Sequence, residues 1–263
     1  MTDWLGVCRE AAEDVRGVLR DLPSRDERET VVGDGVGGDE TTAVDAAAEH
    51  VILERLRAVD GVTVVSEEVG ELGADGRWRV VVDPIDGSLN AKRGIPFFSL
   101  SIAVAEGGTM DDVVFGYVYD FGTGEEWTAE RGAGARLNGH GLGDVRPKEK
   151  IEILSFEATL TSSVAEKAAA MVGIAYRLRI MGSLALSLCH LAAGRVDAVC
   201  SLKAARAVDI AAAQLLVRER GLAIDLPEAP PFAAAPLDVE GRSRVVAAGT
   251  PEVCAGLFAA LSR

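Results

Sequence analysis

Residues 79–90 read RVVVDPIDGSLN. Two aspartates, Asp83 and Asp86, stand three residues apart at the exit of an apolar, β-branched run. That run predicts a buried strand. Pro84 stiffens the exit and Gly87 permits a sharp turn, which brings Asp86 back beside Asp83. Two carboxylates so close repel, and both ionise only when something positive lies between them. A divalent cation is the simplest such charge. The N–H groups of Gly87 and Ser88 fall at the turn, where a helix can open, and such donors bind an oxyanion. Metal and amide donors at one turn make the chemistry of a phosphate site. The same short stretch also reads as an Asx-turn with two solvated aspartates.

Three further acids bear on that choice. The strand expected at 62–66, VTVVS, ends in Glu67-Glu68. Neighbouring strands with acidic exits place Glu67 beside Asp83, although paired glutamates are also common on surfaces. AVDIAAA, at 207–213, puts Asp209 at a helix start, where an ordinary first-turn acid is the competing reading. TTAVD puts Asp45 at the head of another helix, directly after GDGVGGDE.

The elements that must position these residues follow from periodicity. Trp4, Cys8, Ala11, Val15, Leu19 and Leu22 share one helical face, and Pro23 stops the run. Residues 24–43 are polar and Gly-rich and read as a mobile loop. A second amphipathic helix is expected over 44–57, capped by Thr41 or Thr42. FSLSIAVAE, VVFGYVYD and EEWTAE read as antiparallel strands, and GAGARLNG as a turn into a further short strand. From about residue 151, strands alternate with helices, which implies a layered α/β second half. The expected lobes are 1–145, carrying the DPIDGS stretch and the loop at 33–40, and 146–263. Their boundary falls near 140–150, with the site between them.

Composition narrows the function. Of the 263 residues, 48% are hydrophobic, enough for a full core. No apolar run approaches the ~18 residues that cross a bilayer. The charged N-terminus lacks a signal-peptide core, so a cytoplasmic protein is expected. Cys8, Cys189, Cys200 and Cys254 are scattered and read as buried thiols. Three histidines without zinc spacing leave a hard, oxygen-bound ion as the expected metal. The net charge of −14 argues against nucleic-acid partners and anionic membranes.

Together these stretches resemble the inositol monophosphatase family, including its archaeal branch that also acts on fructose 1,6-bisphosphate. DPIDGS-L-N is similar to the main family signature, with Ser66-Glu67-Glu68 upstream at the expected distance. VDIAAAQLLVRERG, at 208–221, is similar to the second signature. GIPFFSLSIAV, GAGARLNG and RIMGSLALSLCHLAAGRVDA also resemble family segments. The resemblance implies a layered α/β/α/β/α sandwich with two sheets, the sugar-phosphatase fold. It implies two or three magnesium ions. Glu67, Asp83 and the Ile85 carbonyl would hold the first, and Asp83, Asp86 and Asp209 the second. A third, weaker ion would use Glu67 and water near the loop at 33–40. Asp45 and Ser88 would orient and deprotonate the attacking water, with Asp39 on the catalytic loop. The Gly87 and Ser88 amides would hold the phosphate. Gly182, Ser183, Ala185, Lys203 and Arg206 would meet the rest of a small phosphate ester. The family often dimerises, which implies a homodimer.

The chain departs from animal-type members. Leu202 stands where they have a glutamate and Val208 where they have a tryptophan. The cations in SLKAARAVD are closer to the archaeal branch, and Lys203 with Arg206 could grip a second phosphate. Ala91 replaces an aromatic residue, and no role is assigned to Asp34, Lys92 or Arg93. A nucleotide 3′-phosphatase acting on phosphoadenosine phosphate, and a metal-dependent binding protein without turnover, are the alternatives. An aspartyl-nucleophile phosphatase wants aspartates at i and i+2, not the i and i+3 found here.

Overall fold

The structure is a computed structural model that describes residues 2–36, 40–73, 76–145, 150–157 and 160–262. The chain opens with α1 (Trp4–Asp21), α2 (Arg25–Glu29), the antiparallel pair β1 (Val31–Asp34) and β2 (Glu40–Thr42), and α3 (Ala43–Arg57). Then come β3 (Val62–Ser66), β4 (Gly70–Leu72), β5 (Trp78–Asp86) and α4 (Ser88–Arg93). An antiparallel run follows: β6 (Ser99–Ala105), β7 (Val113–Asp120), β8 (Glu126–Glu130), β9 (Gly134–Leu137) and β10 (His140–Gly141). The second half contains β11 (Ile151–Glu157), α5 (Thr161–Ala168), β12 (Ala175–Arg179), α6 (Leu184–Ala192) and β13 (Ala198–Ser201). It ends with α7 (Ala207–Glu219), β14 (Ala223–Asp225), β15 (Val246–Ala248) and α8 (Pro251–Leu261).

Among the described residues, β3 to β10 form one sheet in the order β10-β9-β8-β7-β6-β5-β3-β4. A second sheet runs β12-β11-β13-β15-β14. Helices α1 and α3 cover one face of the first sheet, α6 and α7 fill the space between the sheets, and α8 covers the far face of the second. This is the expected α/β/α/β/α layering. Strand alternation decides which side chain joins which layer. Val80 and Val82 pack toward α1 and α3, whereas Val81 packs with the α6 and α7 layer. Ala103 and Ala105 are small on that same side, and a Cβ at Gly116 would come within 2.5 Å of the Ala212 carbonyl oxygen. The Ala-rich α7 therefore lies close against the sheet, which carries its N-terminus to the exit of β5.

Two expectations change. Residues 24–43 are not one loop. Ser24 and Glu27 form a capping box that starts α2, and Arg28 ties it down by donating to the carbonyls of Leu19, Leu22 and Ala91. The strand through Val82 also does not end at Asp83. It runs on to Asp86, with an irregular register between Asp83 and Asp86 opposite Ser101 and Ser99. Such a bulge accommodates a proline inside a sheet, so Pro84 sits in the strand rather than ending it. All four cysteines are buried and free, as their scatter implied.

Candidate metal and phosphate site

Strands β3 and β5 pair in parallel with Ser66 opposite Val82. Glu67 and Asp83 are the next residues on each, so the register sets their carboxylates side by side. Asp83 is 2% exposed, and its Oδ1 accepts the Ile85 N–H at 3.0 Å. The Asx-turn is therefore present, but its aspartate is buried rather than solvated. Asp86 is also buried, and its Oδ2 accepts both the Ser183 hydroxyl and the Ala185 amide. Asp209, in the first turn of α7, accepts the Arg206 backbone N–H at 2.6 Å.

These acids feel one another. Burial, and then the fields of Glu67, Asp86 and Asp209, push the Asp83 carboxyl well above the ordinary range. Burial pushes Glu67 up to about 7, although Arg206 opposes the shift. Burial likewise lifts Asp86 to about 7 against its hydrogen bond from Ser183. Carboxyls in this state are short of positive charge. Arg206, itself buried, partly meets the demand. Its Nη2 donates to Glu67 Oε1 and lies 3.4 Å from Asp209 Oδ1. Burial works against its charge, but Asp209, Glu67 and Asp83 outweigh that and raise its pKa.

The cluster floors a cavity of about 550 Å³. Gly87, Ser88, Gly182 and Lys203 also line it. So does Asp45, whose Oδ2 accepts from the Thr42 hydroxyl at 2.5 Å and lies 3.0 Å from Lys92 Nζ. Its buried Oδ1 has no hydrogen-bond partner among the described residues. The Ser88 hydroxyl donates to the Ile85 carbonyl at 2.9 Å, which leaves its lone pairs available. Gly87 has φ of +93°, the left-handed region that glycine occupies without strain. Asn90 joins this turn to the second half by donating to the carbonyls of Phe97 and Met181.

Not every expected residue faces the cavity. Asp39 lies outside the described residues, and so does the side chain of Asp34. Ser183 is the N-cap of α6 and is buried with Ala185 around Asp86. Leu184, between them, is the residue that lines the cavity, because the phase of the first helical turn points 185 into the core. Arg206 lines the cavity, but its guanidinium is turned onto the carboxylates and not toward a distant phosphate.

Several residues went unread in the sequence. Glu49, on the buried face of α3, accepts from the Ser66 hydroxyl at 2.5 Å and from the amides of Glu68 and Val69. It clamps the turn that carries Glu67. Glu157 does the same for the opposite wall, accepting from the Ser155 and Ser187 hydroxyls and the Gly182 amide. Lys92, left without a role, faces Asp45, and Arg242 joins the cavity rim. Only the helical period at Glu49 carried a signal, since it places that acid on the inward face with Ile52 and Leu56. Glu49→Leu is expected to cost about 2 kcal/mol of stability by leaving the Ser66 hydroxyl and the Glu68 and Val69 amides without their acceptor, and to weaken divalent-metal affinity roughly tenfold or more. Urea unfolding and metal titration by calorimetry check the two parts separately.

The donor set fits a hard divalent cation. It consists of buried carboxylates and a backbone carbonyl, with mutual repulsion that such an ion relieves. Among the described residues, no three His, Cys, Asp or Glu side chains already stand as a closed cage. Glu67 is engaged by Arg206, and Asp86 by Ser183 and Ala185. A pH dependence follows. Glu67 and Asp86 titrate near 7 when folded, above the ordinary carboxylate value of the unfolded chain. The metal-free fold thus holds extra protons between about pH 4.5 and 7, and its stability falls as pH rises through that window. The thermal midpoint of chelated protein should drop by roughly 5 °C from pH 5 to pH 8, and saturating magnesium should remove most of that slope.

The model of the inositol monophosphatase family matches residues 4–263. A fructose-1,6-bisphosphatase/inositol-1-monophosphatase from Archaeoglobus fulgidus is 35% identical over 249 residues, which cover 94% of this chain and 93% of that protein. The Nus factor SuhB of Escherichia coli is 37% identical over 192 residues, 70% of each chain. The crystal structure of an inositol monophosphatase-fructose 1,6 bisphosphatase superposes with a TM-score of 0.86 at 30% identity, covering 98% of this chain and 100% of that one. A layered fold with an acidic cluster at the exit of a parallel strand pair defines the class, and the chain belongs to the inositol monophosphatase family.

Proposed function

We propose that this protein is a magnesium-dependent phosphatase that hydrolyses the phosphate monoester of an inositol or a sugar, with inositol 1-phosphate and fructose 1,6-bisphosphate as the two candidate substrates. The observation that carries the reading is the set of Glu67, Asp83, Asp86 and Asp209, gathered around one cavity with Arg206 as their paired cation. The similarity to archaeal proteins named for both substrates supports it.

Glu67, Asp83 and the Ile85 carbonyl would hold one ion, and Asp83, Asp86 and Asp209 a second. A third, weaker one would use Glu67 near the loop at 33–40. Bound there, magnesium supplies positive charge to the phosphate and acidity to a neighbouring water. The chain's own groups do the rest. Asp45 is fixed through Oδ2 by Thr42 and Lys92 at the wall of the cavity, where its carboxylate can take a proton from water. Ser88 gives its hydroxyl hydrogen to Ile85 and can accept one from that water, which orients it. The amides of Gly87 and Ser88, at the start of a helix, bind phosphate oxygens. Asp39 acts with them from the loop. Gly182, Leu184 and Lys203 hold the remainder of the substrate, with Arg242 at the rim. The active form is a cytoplasmic homodimer, with the site between the 1–145 and 146–263 lobes.

The test is phosphate release from inositol 1-phosphate and fructose 1,6-bisphosphate, side by side, with magnesium. Release from both supports a dual specificity and directs mutation to Lys203 and Arg242. Release from only one fixes the substrate class. Release from neither, with phosphoadenosine phosphate cleaved instead, replaces the sugar-phosphate reading by the nucleotide one.

A further inference from the structure

We infer that Arg206 is a tethered competitor for the metal: its guanidinium neutralises the carboxylates when no metal is bound and must leave Glu67 for an ion to enter. The inference rests on the metal-centre reading above and concerns how that centre is loaded.

The geometry is specific. Arg206 precedes α7 as its N-cap residue, and its backbone N–H is fixed to Asp209 Oδ2 at 2.6 Å. From that anchor the side chain folds back and delivers Nη2 to Glu67 Oε1, with Asp209 Oδ1 at 3.4 Å. A guanidinium held on Glu67 Oε1 takes up part of that carboxylate's acceptor capacity and puts a fixed positive charge beside Glu67 and Asp209, where a cation's charge would otherwise sit. Arg206 is 9% exposed, so this is a buried contact and not a screened surface pair. The backbone bond to Asp209 does not involve the guanidinium. The side chain can therefore swing away while Asp209 keeps its place at the head of α7.

Such a residue has two effects. It offsets part of the repulsion among Glu67, Asp83 and Asp209 when no ion is bound. It also raises the free magnesium concentration at which the centre fills, because ion entry must break a buried ion pair. The neutral variant Arg206→Gln should then bind magnesium roughly tenfold more tightly than wild type in calorimetry. Its chelated form should melt several degrees lower at pH 8, with magnesium closing the gap. Arg206→Lys, which keeps the charge and loses the planar fork, should fall between the two. A variant that merely loosens the site loses affinity, whereas removal of a competitor raises it. Unchanged or weaker magnesium binding by Arg206→Gln, alongside clear binding by wild type, overturns this inference alone. If Arg206→Gln does not fold, Arg206→Lys decides by the same criterion. Absence of divalent binding by wild type overturns the metal-centre reading and the competitor with it.

Discussion

Asp83→Asn should abolish phosphate release while making the metal-free protein more stable. The two effects have one cause. Asp83 is buried among Glu67, Asp86 and Asp209, and burial with their fields drives its carboxyl well above the ordinary range. Without an ion its charge is a liability, so a neutral amide of the same shape relieves the fold. With ions it is the one acid shared between the two proposed positions. Losing it should cut turnover on the order of a thousandfold, equivalent to about 4 kcal/mol of barrier. The chelated variant should melt a few degrees above chelated wild type at pH 8, and should gain little from added magnesium. Steady-state rates and thermal melts with and without chelator read the two halves. Substantial retained turnover contradicts the role given to Asp83.

Gly87→Ala should be the most damaging small change to the backbone of the site. Gly87 sits at φ +93°, where a Cβ is strained. That Cβ would also lie 3.0 Å from the Gly182 carbonyl oxygen, 3.1 Å from that of Phe97 and 3.2 Å from Phe98 Cβ. These neighbours are mostly backbone, so they give way only by moving the end of β5 that carries Asp86 or the turn before α6 that carries Gly182. Strain and overpacking together are expected to cost about 2–4 kcal/mol. The same displacement shifts the Gly87 and Ser88 amides, and a misplacement near 1 Å costs roughly a hundredfold in rate. Urea unfolding measures the first part and phosphate release near 10 °C, where the variant stays folded, measures the second. Wild-type stability would show that the turn relaxes freely and that its geometry is not the reason for glycine.

Much of this was legible because it is local. The apolar, β-branched runs in VTVVS and RVVVD placed two buried strands, and their acidic exits placed Glu67 beside Asp83. AVDIAAA read as a helix start carrying Asp209, and the structure packs that helix against Gly116 and Ala103. What was not legible depends on contacts far along the chain. Arg206 reads as a loop cation available to a phosphate, yet its guanidinium meets Glu67 139 positions away. Glu49 reads as one more acid on a helix, until the fold sets Ser66 and the Glu68 and Val69 amides around it. Leu184 and Ala185 exchange roles because a single step of helical phase separates cavity from core. The segment 24–43 read as a loop because its polar, Gly-rich composition masks the capping box of Ser24 and Glu27 and the pairing of β1 with β2.

The central claim is that this acidic cluster is a divalent-metal centre for phosphate ester hydrolysis. It is tested most directly by following phosphate release from inositol 1-phosphate through one cycle: magnesium-loaded, chelated, and reloaded, with fructose 1,6-bisphosphate in parallel. The account predicts turnover of at least one ester, its loss on chelation, and its recovery on reloading, with Asp83→Asn silent throughout. Turnover that persists in chelator, or that Asp83→Asn retains, would contradict it.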